Sequence, residues 1–185
     1  MSSEVAGLNL DGMVIVTVGR LVYQKGFDIL LKAFHMMRGQ VRSRLLIIGD
    51  GAEREGLVNL AKQLNISKDT IFAGYKSNPY RYMRESTVFC SASRYEGFSI
   101  VILEAMVLGL PVIATDCPSG PAEILDSGRH GILVPPEDPE AIADKLLRVL
   151  PDIELRRTLS GRSLLRAQDF NLETFLEQWE ELIEI

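Results

Sequence analysis

Met13-Val14-Ile15-Val16-Thr17-Val18 is followed at once by Gly19-Arg20-Leu21-Val22-Tyr23-Gln24-Lys25-Gly26 and then by a helical stretch, Phe27 to Arg38. The first six residues form a continuous apolar, β-branched run instead of alternating with polar ones. Strands of that kind belong to sheets covered on both faces. The pattern then repeats. Arg44–Ile48 is a strand and Ala52–Leu64 a helix; Thr70–Ala73 is a strand and Tyr80–Glu85 a short helix. Val88–Ser91, the helix Ile100–Leu108, Val112–Thr115, a short helix near Ala122–Asp126, and Ile132–Val134 follow. From Pro139 onward the pattern is helical, with breaks near Pro151 and near Phe170–Asn171. Such strand–helix alternation predicts parallel strands joined by right-handed crossovers. The expected fold is an α/β, doubly wound, parallel Rossmann-like sheet of about six strands. Ligands of such sheets bind at the carboxyl ends of the strands, near the reversal of strand order.

Composition agrees with a single domain over residues 1–185. Hydrophobic residues make up 46% and charged residues 24% of the chain, the balance of a globular protein with a real core. The division expected is a leader over 1–11, a core over 12–150 and C-terminal helices over 151–185. No window approaches the roughly 20 apolar residues of a membrane span. The first residues, Met1 to Gly7, lack the basic start and apolar stretch of a secretory signal. A net charge of −5 argues against wholesale nucleic-acid binding. Cys90 and Cys117, the only cysteines, have no CxxC or metal-ligand spacing, and read as two reduced thiols of a cytoplasmic protein. No metal is expected. His35 sits in an amphipathic helix and His130 in a Gly-flanked turn, neither with an obvious partner. The final helix, Leu172–Ile185, puts Phe175, Trp179, Leu182 and Ile183 on one stripe, suited either to packing on this sheet or to docking on a partner domain.

Two constellations carry chemistry. In the loop after the first strand, Gly19 and Gly26 relax the backbone at both ends, so Arg20 and Lys25 can point together. A guanidinium fork and an ammonium suit a phosphate, which the start of a helix also favours; solvated surface charge is the plainer reading. Further on, Glu96-Gly97-Phe98-Ser99-Ile100 leads to Glu104, two acids with seven residues between them. On a helix the neighbours of Glu104 are Ile100, Val101, Val107 and Leu108. A carboxylate there is costly unless hydrogen-bonded, so it should face a cleft. Helical side chains tilt toward the N-terminus, which directs Glu104 toward the strand ends. Ser99 is expected to cap this helix. The bland alternative makes Glu96 an ordinary loop residue and Glu104 the partner of a buried arginine. Gly49-Asp50-Gly51-Ala52-Glu53-Arg54 fails as a dinucleotide fingerprint because Arg54 stands where a third glycine is required. Asp50 is expected to cap the helix that follows.

These motifs in order resemble the group 1 glycosyltransferases of family 4: Val-Gly-Arg…Lys-Gly, Glu-Gly-Phe-Ser with its second Glu, Glu-Ala-Met-x-x-Gly-x-Pro-Val, and Gly-Ile-Leu-Val-Pro. The similarity covers roughly residues 12–150. The resemblance implies the C-terminal, donor-binding half of a GT-B enzyme, with the N-terminal acceptor domain as its partner across a cleft and absent here. On that footing Arg20 and Lys25 would bind the donor diphosphate without a metal. Glu96 would contact the transferred sugar, with Gly97, Phe98, Ser99 and Ile100 beside sugar and phosphate, and Glu104 would hold the ribose. Tyr75 and Lys76, after the third strand, would lie near the base. The ligand would be a nucleotide-sugar, a UDP-sugar by the resemblance of Asp116-Cys117-Pro118-Ser119-Gly120-Pro121 to one branch; that branch has Arg where this chain has Ala122. The reaction implied is transfer of a hexosyl group, with retention, to a saccharide or lipid-linked acceptor. No cofactor beyond the donor is implied, and membrane contact would come only through the other domain or the acceptor. The chain alone is expected to be a partial, inactive domain. The reading from another class is a noncatalytic nucleotide-binding or assembly module that keeps the fold.

Overall fold

The structure, a computed structural model, describes residues 12–171. The expected leader and the Leu172–Ile185 helix lie outside the described residues. Six strands form one sheet: β1 (Met13–Val18), β2 (Ser43–Ile48), β3 (Thr70–Gly74), β4 (Val88–Ser91), β5 (Val112–Thr115) and β6 (Ile132–Val134). Their order is β3-β2-β1-β4-β5-β6 and every pairing is parallel. The connecting helices are α1 (Phe27–Met36), α2 (Arg54–Gln63), α3 (Tyr80–Arg84), α4 (Ile100–Val107), α5 (Pro121–Ile124) and α6 (Pro139–Val149). A final long helix, α7 (Ile153–Ala167), follows. This is the doubly wound sheet that the unbroken apolar strands predict.

The two-residue period of a strand sends neighbouring side chains into separate cores. Ile15, Leu45, Ile47, Val88, Cys90 and Ile113 are buried on one face, beneath α1 and α6. Val14, Val16, Leu46, Ile48, Phe89 and Val112 are buried on the other with Ile102, Ala105 and Met106 of α4. Each fully buried aliphatic side chain contributes about 1.5–3 kcal/mol of transfer free energy. A polar replacement of any of these apolar side chains would lose that contribution, because both faces are covered; the polar members of these strands, Thr17 and Ser91, stand near the strand ends.

Several boundaries differ from the sequence reading for local reasons. The first helix ends at Met36, two residues before Arg38, and Met37 forms its C-cap. The second helix starts at Arg54 and Asp50 does not cap it. The segment before it is held sideways instead: Leu21 N donates to Asp50 O at 2.9 Å and Glu53 N donates to Leu21 O at 2.9 Å. The Asp50 carboxylate turns back to the amide of Gly51, at 2.8 Å. Where carboxylates do cap, they reach the third amide of the helix: Asp138 accepts from Ala141 N at 2.8 Å and Asp152 from Leu155 N at 2.9 Å. The short helix expected near Ala122–Asp126 begins one residue earlier, at Pro121, and stops at Ile124. Asp126 and Ser127 then adopt φ of 48° and 53°, which ends it. Among the described residues no helix is long and apolar enough to cross a membrane.

Gly26, between the first loop and α1, has φ 62°, and a Cβ there would overlap the carbonyl oxygen of Ala92 beyond β4. The Gly26→Ala substitution is therefore expected to destabilise the domain by at least about 2 kcal/mol, combining backbone strain with a backbone clash. Gly161→Ala, in the exposed interior of α7 where a Cβ meets nothing within 4 Å, is expected to stabilise by about 0.5–1 kcal/mol. Urea unfolding of both variants checks the pair; equal shifts would refute the loop-packing argument.

Candidate active site

The order of the strands reverses between β1 and β4, so the connections leaving these parallel neighbours diverge and leave a crevice between them. A cleft of about 400 Å³ opens there. Arg20, Lys25, Glu96, Phe98, Ser99, Ile100 and Glu104 all line it, and Gly97 lies in the chain between two of them. Residues separated by up to 84 positions, 104 less 20, thus share one wall. Tyr75 and Lys76 are not among its lining. Tyr75 is 77% exposed, and the Lys76 ammonium sits 5.6 Å from the ring centre of Tyr82, on α3.

The two carboxylates occupy different environments. Glu96 is nearly buried, its side chain 5% exposed, and takes the Lys25 ammonium at 2.6 Å. The Ser93 hydroxyl donates to the same oxygen at 2.7 Å. Positive and negative groups expected to serve different parts of a ligand are therefore in contact. Removing one member of a buried pair costs roughly 3–5 kcal/mol at full burial, less where, as with Lys25, water still reaches the ammonium. Glu104 projects from α4 and accepts a hydrogen bond from the Tyr80 phenol at 2.8 Å. Its partner is thus a phenol at the start of α3, not an arginine. The carboxylate raises the Tyr80 pKa, first by accepting the phenolic proton in a hydrogen bond and then by its charge. The Arg20 side chain is exposed and forms no hydrogen bond or ion pair with the described residues; only its backbone carbonyl is engaged, accepting from Val22 N at 2.9 Å.

Ser99 occupies the N-cap position of α4, but its hydroxyl does not cap. Its backbone, at φ −84° and ψ 82°, is close to that of Asp138, which does cap, so the hydroxyl's failure to cap is not a matter of backbone angle. The Ser99 Oγ is left buried with no partner. The amides of Gly97, Phe98 and Ser99 likewise find no backbone acceptor among the described residues. Donors of this kind at a helix start suit an anion. Gly120, φ 81°, comes so close that a Cβ would overlap the carbonyl oxygen of Gly97. The Asp116–Pro121 run therefore supports the Glu96–Ser99 loop from behind. Among the described residues, no three His, Cys, Asp or Glu side chains come together as metal ligands.

Tyr80 and Ser93 escaped the sequence reading because neither belongs to a spaced motif. Their partners lie 24 and 3 positions away, and only the second interval could have been guessed locally. His130 also has partners that the sequence did not reveal. Its Nδ1 lies 3.1 Å from Arg162 O of α7, and its Nε2 lies 3.8 Å from the Asp126 carboxylate. Cys90 and Cys117 are buried free thiols. Burial pushes the Cys90 thiol up to about 12, and burial followed by the nearby Glu96 charge raises Cys117 as well, so neither is an activated nucleophile.

Residues 2–163 match the family described as glycosyl transferases group 1. A Campylobacter jejuni protein, N-acetylgalactosamine-N,N'-diacetylbacillosaminyl-diphospho-undecaprenol 4-alpha-N-acetylgalactosaminyltransferase, is 31% identical over 162 residues, 88% of this chain and 44% of its own. The sucrose-phosphate synthase of Thermosynechococcus elongatus superposes with a TM-score of 0.83 at 31% identity, over 100% of this chain and 48% of that one. The Anabaena protein HepE, solved with UDP, shares the fold with a TM-score of 0.85 at 24% identity, over 94% of this chain and 49% of that one. The chain spans about half the length of the curated relatives it matches. Six parallel strands in this order, the cleft at their reversal and the match over most of the chain lead to one conclusion: the protein belongs to the group 1 glycosyl transferases.

Proposed function

We propose that this domain binds a nucleotide-diphospho-sugar and acts as the donor-binding half of a retaining hexosyltransferase. The observation that carries the reading is the meeting of Arg20, Lys25, Glu96 and Glu104 on one cleft at the strand-order reversal. Each then has a task fitted to its surroundings. Arg20, exposed and unpaired, is free to fork onto a phosphate. Lys25 approaches the same diphosphate while holding its contact with Glu96 at its side. The orphaned Ser99 hydroxyl and the amides of residues 97–99 offer further donors to phosphate or sugar. Glu104 exchanges the Tyr80 phenol for the vicinal hydroxyls of a ribose. Glu96 meets the sugar that is transferred.

In the reaction, the bond between the anomeric carbon and the β-phosphate oxygen breaks while the acceptor oxygen attacks from the same face. The acceptor proton passes to the departing phosphate. Negative charge grows on that phosphate, and fixed cations stabilise it most where they need not reorganise; Arg20 and Lys25 supply them in place of a metal. UDP is the first nucleotide to test, because HepE, of the same fold, is solved with it and because Asp116–Pro121 resembles the branch using UDP-sugars. Transfer also needs an acceptor and a second domain to close over the cleft, consistent with relatives about twice as long.

Calorimetry with UDP, GDP, ADP and UDP-glucose tests donor binding. UDP is expected to bind best, and Lys25→Ala and Glu104→Ala are each expected to weaken it at least about tenfold, or ~1.4 kcal/mol. Glu96→Gln should weaken UDP-glucose more than UDP. Variants that bind as tightly as the parent chain would overturn the assignment. The 185-residue chain by itself is expected to transfer no sugar to added acceptors; measurable turnover by it would remove the need for a second domain.

A further inference from the structure

The loop carrying Lys25 and the loop carrying Glu96 are joined by a residue with no role so far, Arg94. Its guanidinium grips Asp28, in the first turn of α1, with two parallel bonds of 2.9 Å each. The same group donates to Tyr23 O at 2.8 Å and to the Glu137 carboxylate at 2.9 Å. It also lies 3.9 Å from the centre of the Tyr23 ring. Arg94 N donates to Gln24 O at 2.8 Å, and the Gln24 amide returns a bond to Tyr95 O at 3.0 Å. The side chain is 12% exposed and does not line the cleft.

This places a rigid fork across three strand-end loops, those after β1, β4 and β6. Tyr23 is two residues before Lys25, and Arg94 is two residues before Glu96. A tie between the first of each pair therefore sets the distance between the second of each. Burial alone would raise the Asp28 pKa, yet the Arg94 hydrogen bonds and charge, with a smaller contribution from Lys32, outweigh it and hold the carboxyl below its ordinary value, so the tie is ionic at neutral pH. A lysine cannot reproduce the arrangement, because one ammonium lacks the planar fork that serves Asp28, Tyr23 O and Glu137 together.

We propose that Arg94 is a positioning residue of the donor site, clamping the loops after β1, β4 and β6 so that Lys25 and Glu96 face one ligand in register. This rests on the reading of the cleft as a donor site. The consequence is specific. Ligands reaching the Lys25–Glu96 pair depend on the clamp, while a ligand relying on Glu104 depends on it less.

The test has two arms. Without ligand, lysine-selective ¹H–¹⁵N NMR observes the Lys25 ammonium, shielded by Glu96 and identified by its loss in Lys25→Arg. Arg94→Ala is expected to abolish or shift that signal, and Arg94→Lys to restore it only in part. With ligand, calorimetry compares UDP-glucose with UMP. Arg94→Ala is expected to weaken UDP-glucose about tenfold or more and UMP less than about threefold. Thermal unfolding accompanies each variant. Should Arg94→Ala fail to fold, Asp28→Asn, which weakens the grip while leaving the other bonds, is expected to show the same selectivity at about threefold. An unmoved Lys25 signal in folded Arg94→Ala, or equal losses for the two ligands, overturns the clamp. A parent chain that binds neither ligand overturns the donor-site reading instead, whatever the ligand-free spectra show.

Discussion

The parallel pairing of β1 with β4, at Ile15 with Val88 and Val16 with Phe89, is the contact on which the site depends. β1 pairs with β2 on its other edge over its whole length. The chain therefore leaves β1 toward one side of the sheet and leaves β4 toward the other. Two connections that part in this way cannot fill the space between them, and the crevice is a consequence of the topology. Were β4 to pair elsewhere, Lys25 and Glu96 would end on different parts of the molecule with their chemistry unchanged.

Inside that crevice the constraint is electrostatic. A nearly buried carboxylate needs a counter-charge or hydrogen bonds, and Glu96 has both, from Lys25 and Ser93. Glu104 satisfies the same need with a neutral partner, Tyr80, at the edge of the cleft. The difference suits a ligand with an anionic middle and neutral, hydroxyl-bearing ends. The ionic pair presents charge where phosphate would come, and the Tyr80 bond is one that a sugar hydroxyl can replace at little cost, since one hydrogen bond is exchanged for another. Glycine allows the loops to approach closely enough for this, with Gly26 against Ala92 and Gly120 against Gly97.

Much of this was legible in the amino-acid sequence. Unbroken apolar strands implied a sheet covered twice, and all six strands appear where the runs predict them, with ends moved by a residue at most. Arg20, Lys25, Glu96, Ser99 and Glu104 were marked by motif and spacing, and they meet on one cleft. Helix starts were less legible. Asp50 and Ser99 have the right chemistry for caps, yet lateral bonds with Leu21 hold the segment after Asp50, and the Ser99 hydroxyl is buried without reaching a helix amide. The resemblance puts Tyr75 and Lys76 near the base of a ligand; neither lines this cleft, and Lys76 lies against the Tyr82 ring.

Element order, the parallel sheet and the types of group available for chemistry are written in the amino-acid order, because they follow from local periodicity and from residues close together in the chain. Which groups touch is set by the fold in three dimensions. Lys25 meets Glu96 across 71 positions, Tyr80 meets Glu104 across 24, and Arg94 grips Asp28 across 66. Those contacts depend on strand order and register, and hence on the summed packing of two cores. A hydrogen bond lost over about 1 Å cannot be read from any short window of the chain.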